Sequence, residues 1–144
     1  MALNTGASGS GYVPNELLSR LVGDRLYSIA FVLNDYLQLY FDGPPSGGPV
    51  ILNIDVWPEV DFGGRTWRES DLGYADALRK LAPGVVQSTS EATGFGLAIV
   101  LDTGAVRIHP RKEDVFSEIA YLSGFEDRSW MCWRPGEDSF EDLA

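Results

Sequence analysis

Apolar residues recur on every second position along much of the chain. From Arg25 to Leu33 they fall at Tyr27, Ile29, Phe31 and Leu33, and after Asn34-Asp35 they resume at Leu37, Leu39 and Phe41. Two alternating runs around a two-residue turn pair predict a β-hairpin. Asp42-Gly43 closes its second strand, and the Pro- and Gly-rich stretch 44–49 predicts a loop. A third strand is expected over Val50–Trp57, with Val50, Leu52, Ile54 and Val56 on one face.

Helical spacing appears in two places. Leu17, Leu18, Leu21 and Val22 follow a candidate cap, Asn15, and stop at Gly23. Tyr74 to Leu81, with Leu78 and Leu81 on one side, stops at Pro83-Gly84. Further strands are expected at Val85–Ala92, Phe95–Leu101 and Ala105–His109, then Val115–Leu122 and Ser129–Arg134. The stretch 58–73 is polar and without period, which reads as a long loop.

The order of elements repeats. Leu18 and Leu21 correspond to Leu78 and Leu81, and Leu39 to Gly43 corresponds to Ile99 to Gly104 with one inserted residue, all at an offset of sixty. The pattern predicts an α+β fold: a duplicated helix–three-strand unit forming an antiparallel sheet or a partly open barrel with two covering helices. The expected organisation is a disordered arm over 1–12, one globular domain over 13–137 with pseudo-repeats near 15–57 and 75–109, and an acidic tail over 138–144.

Composition narrows the class. The 144 residues, 44% hydrophobic and 22% charged, suffice for one core. One cysteine, Cys132, permits no internal disulfide, which fits a reducing compartment. No secretory leader or membrane-length apolar run is apparent, so a cytoplasmic location is expected. The net charge of −10 disfavours nucleic acid and anionic membrane and suits a basic protein partner.

A set of residues in the second half carries a family likeness: Leu97, Ile99, Leu101-Asp102-Thr103-Gly104, Val106, Ile108 and Pro110, then Glu118-Ile119, Gly124, Trp133 and Pro135-Gly136-Glu137. In these positions the chain resembles an uncharacterised actinobacterial family of small two-repeat β-rich proteins that end in a Trp strand and a Pro-Gly-Gly-Glu motif. One Gly of that motif is missing here, and the family's Phe-Asp-Asp-Gly turn is Leu-Asp-Thr-Gly. The likeness spans about residues 78–137 and rests on turn and core positions. It implies the duplicated fold and, since the family has no assigned activity, no particular chemistry.

Motifs for phosphate loops, nucleophile elbows and dinucleotide binding are absent. His109, the only histidine, and Cys132 lie far apart in sequence and read as structural. Neither a catalytic constellation nor a metal or cofactor site is expected. The richest segment is 55–71. There Asp55, Glu59, Asp61 and Glu69 stand among Trp57 and Trp67, a combination that can bind cations, sugars or a basic protein. Three functions follow: a non-catalytic protein-binding module, immunity-protein-like toward a basic partner; a small-molecule binder with a pocket under 55–71; and a hydrolase using loop carboxylates. A homodimer is a further expectation, through the strand face of Tyr36, Gln38 and Tyr40.

Overall fold

A computed structural model describes residues 12–44 and 47–143. The expected arm therefore lies outside the described residues except for Tyr12, which is half-buried and packs against the core.

The architecture corrects the α+β expectation. Among the described residues the protein is mainly β, with two five-stranded antiparallel sheets, no closed barrel and very little helix. The strands are β1 (Leu26–Val32), β2 (Tyr36–Phe41), β3 (Val50–Ile54), β4 (Glu59–Phe62), β5 (Arg65–Trp67), β6 (Val86–Ala92), β7 (Gly96–Leu101), β8 (Gly104–Ile108), β9 (Ala120–Ser123) and β10 (Met131–Trp133). One sheet is ordered β1-β2-β3-β9-β10 and the other β5-β4-β8-β7-β6.

The expected covering helices shrink to a 3-10 turn, Leu18–Leu21, and a six-residue helix α1, Tyr74–Arg79. The reason is local. A stretch this short cannot offset the cost of α-helix nucleation. Leu18 and Leu21 are three apart, the period of a 3-10 helix, and both are fully buried. Asn15 does not cap this turn. It sits at φ 69°, and its side chain accepts from Thr89 Oγ1 at 2.8 Å and donates to the Thr89 carbonyl at 3.3 Å on β6.

The loop expected over 58–73 contains the β4–β5 hairpin. Gly63 and Gly64, at φ 65° and 83°, form its turn, and Val60 pairs with Trp67. Glycine takes positive φ angles without strain, so this Gly-Gly pair was the available sequence signal.

The two principal hairpins match residue for residue at an offset of sixty. Leu26 pairs with Phe41 as Val86 pairs with Leu101, and both hairpins carry a bulge before Ser28 and Ser88 respectively. Arg25 N–H donates to Asp42 Oδ1 at 2.8 Å, and Val85 N–H to Asp102 Oδ1 at 3.0 Å. The sheets meet where Arg25 bridges Val85 antiparallel, flanked by Leu26 N–H to the Gly84 carbonyl at 2.8 Å and Val86 N–H to the Asp24 carbonyl at 2.9 Å. An antiparallel bridge between equivalent residues is a local two-fold.

Each half then gives its last strands away. β4 and β5 follow β3 in the chain but join β8, whereas β9 and β10 follow β8 but join β3. The 3-10 turn likewise packs on β6, and α1 on β4. This exchange gives the halves one shared core, which includes Leu39, Leu52, Val60, Ile99, Val106 and Trp133.

The residues at offset sixty differ where the strands end. Phe31 stacks on Trp57, with centroids 5.0 Å apart, and meets Tyr74 edge-on at 6.3 Å. Glu91, its counterpart, is buried as an acceptor: Trp133 Nε1 donates at 2.8 Å, Ser139 Oγ at 2.7 Å and Asn15 N–H at 2.7 Å. The expected acidic tail is also packed, since Ser139 and Phe140 are buried.

Candidate functional site

The segment read as a loop from the sequence forms one wall of a surface groove of about 830 Å³. Asp55 and Trp57 come from the crossing between β3 and β4, Glu59 from the first position of β4, and Glu69 from the connection after β5. Asn34 and Asp35 enter from the β1–β2 turn. His109, Pro110, Arg111, Glu113, Asp114 and Phe116 enter from the β8–β9 connection.

Two of the expected site residues face elsewhere. Asp61 accepts from Arg107 Nε and Nη2, both at 2.9 Å, and from Thr66 Oγ1 at 2.7 Å. The Arg107 bonds hold its carboxyl below the usual carboxylate range. Trp67 donates from Nε1 to the Phe62 carbonyl at 3.1 Å, lies against the backbone of Gly73, and carries the Arg65 guanidinium 3.8 Å above its ring. Both fasten the β4–β5 hairpin to its surroundings.

Charge in the groove divides in two. Glu59 is matched, with Arg68 Nε at 2.9 Å and Arg107 Nη1 at 3.0 Å. Arg111 is matched by Asp114 at 3.2 Å and Glu113 at 3.7 Å. Asp35, Asp55 and Glu69 have no ion-pair partner among the described residues. Asp55 accepts one bond, from Asn53 Nδ2 at 3.0 Å. Burial, and beyond it the charges of Glu118 and Asp35, hold its carboxyl above the ordinary range even against that bond.

The aromatic wall is placed by packing. Trp57 is half-buried on Phe31, and Tyr74 fixes the chain beside it by donating to the Pro58 carbonyl at 2.6 Å. Burial, with the charge of Glu69, raises the Tyr74 hydroxyl far above its ordinary value, so it acts as a neutral donor. Tyr74→Phe is expected to cost about 1–2 kcal/mol by leaving a buried carbonyl unmet, read as a lower urea midpoint with an unchanged slope. A loss indistinguishable from zero would refute that anchoring role. Phe116, which also lines the groove, is 94% exposed.

The sequence does not single out Asp35, Glu113, Asp114 or Phe116, which line the groove together with His109. The only available hint was an aromatic residue among charges after Pro110. Cys132 is buried, and burial together with Glu118 pushes its thiol up to about 11, so it is not a thiolate nucleophile at neutral pH. Among the described residues, no group of three His, Cys, Asp or Glu side chains is placed to hold a metal ion, and no helix is long and apolar enough to cross a membrane.

No protein-family model, no curated protein and no solved structure matches this chain.

Proposed function

We propose that this protein is a non-catalytic binding module whose groove receives a basic protein partner, in the manner of an immunity protein that neutralises a cationic toxin. The observation that carries this reading is the imbalance in the groove: six carboxylates line it against two arginines, flanked by Trp57 and Phe116. Asp55 is held uneasily by burial and like charge, and an incoming lysine or arginine relieves both. The aromatic walls offer apolar contact and a ring face to the same cation. The net charge of −10 steers such a partner over a longer range and makes association salt-sensitive.

A titration with a poly-lysine peptide, followed by NMR, tests the reading. Shifts are expected to concentrate at Asp55, Trp57, Glu69 and Phe116 and to weaken with salt. The double reversal Asp55→Lys and Glu69→Lys is expected to lower affinity about tenfold or more, since each exposed charge contact contributes up to about 1 kcal/mol. Shifts spread evenly over the surface, or affinity unchanged by the reversal, would remove the proposal.

A further inference from the structure

A second device lies away from the groove. Asp138–Leu143 runs as 3-10 turns kinked at Phe140 and lies across β10, β6 and β7. Phe140 is 1% exposed, its ring pushed into the shared core. Few bonds hold this segment down. Gly94 N–H donates to the Ser139 carbonyl at 3.3 Å, Thr93 Oγ1 to the Asp138 carbonyl at 3.3 Å, Ser139 Oγ to Glu91 at 2.7 Å, and Gly136 N–H to the Phe140 carbonyl at 3.0 Å.

Asp138 is the misfit in this arrangement. Its backbone has φ 53°, and its Oδ2 is buried with no hydrogen-bond partner. The charges that face it are Glu91 from β6 and Glu137 and Glu141 from its own segment, all negative. Asp142 lies against Gly94. Strands β7 and β10 contribute no charged side chain. Arg134, just past β10, is turned away toward Glu118 at 3.7 Å.

We propose that residues 138–143 form an acid-tightened strap: ionised Asp138 lets it open transiently off its seat, and protonated Asp138 closes it. Protonation removes the charge facing Glu91 and spares the buried, unpartnered Oδ2 from being held there as an anion. Burial first, and then its acidic neighbours, hold the Asp138 carboxyl above its ordinary range. A raised native value means that the stabilisation is complete below the carboxylate's unfolded range. It is lost as pH rises through the raised value. At neutral pH the strap is therefore the readily opened part of the β6–β7 end, and its opening uncovers the apolar seat of Phe140.

Amide exchange measured on the intact protein tests this. Opening of the Phe140 to Leu143 amides and of Gly94, corrected for the intrinsic rate, is expected to fall on the order of threefold or more from neutral pH down through the carboxylate range. Asp138→Asn and Asp138→Gly both suit a positive φ and remove the charge. Each is expected to slow opening at neutral pH and flatten the profile. A flat profile in the unaltered protein, an Asn variant that keeps the full pH dependence, or faster opening in both variants would each overturn the proposal.

Discussion

Gly96→Ala is expected to destabilise the protein by about 3 kcal/mol or more, enough to take a large share of the roughly 5–15 kcal/mol that holds a domain folded. Gly96 opens β7 at φ 82°, where an L side chain is strained at a cost of about 1–3 kcal/mol. Steric overlap adds to this strain. A methyl group would run into the backbone carbonyl of Ile108 on β8 and meet the Phe140 ring at 3.1 Å. The carbonyl belongs to the β7–β8 ladder, in which Leu97 pairs with Ile108, so it cannot yield without opening the sheet. Overpacking of this kind costs roughly another 1–3 kcal/mol. Gly63→Ala is the control. Gly63 also has a positive φ, 65°, but a methyl group there meets nothing within 4 Å. It should lose only about 1 kcal/mol. Urea midpoints decide the matter, and equal losses at the two glycines would show that the close approach to Ile108 is not real.

Glu91→Ala is expected to cost about 3–4 kcal/mol. Truncation leaves three donors without their acceptor: the indole of the fully buried Trp133, the hydroxyl of the buried Ser139, and the Asn15 amide. Each unmet buried donor costs about 1–3 kcal/mol, reduced where water can reach it. Glu91→Gln keeps one acceptor oxygen and should lose about half as much. The second readout is the coupling between Glu91→Gln and Trp133→Phe, which removes the indole N–H while keeping an aromatic ring in the core. A double variant that loses as much stability as the two single losses added together would mean that the 2.8 Å bond contributes nothing. The same loss should loosen residues 12–15 and 138–143 together, because Glu91 is what joins them.

Local pattern and tertiary structure contributed different things to this protein. Alternation on every second residue, read with Asn34-Asp35 and Thr93-Gly94 as turns, determines the two hairpins, because a period of two has only one way to bury a face. It also placed Asp55, Trp57, Glu59 and Glu69 in one segment, and these reach the groove. The β4–β5 hairpin escaped because its strands, of four and three residues, are too short to show a period and only Gly63-Gly64 marked the turn. Helix spacing over 15–23 misled because Leu18 and Leu21 satisfy a 3-10 period as readily as an α period. Other features belong to pairings between residues distant in the chain, which no local period encodes. β9–β10 joins the first sheet and β4–β5 the second because each open sheet edge is completed by the other half's strands. That exchange carries Asp35, residues 55–59 and residues 109–116 to one groove, and it brings Trp133 and Ser139 to Glu91. An acidic residue at the end of a strand is ordinarily solvated. At position 91 only the arrival of three donors from elsewhere in the fold makes burial affordable.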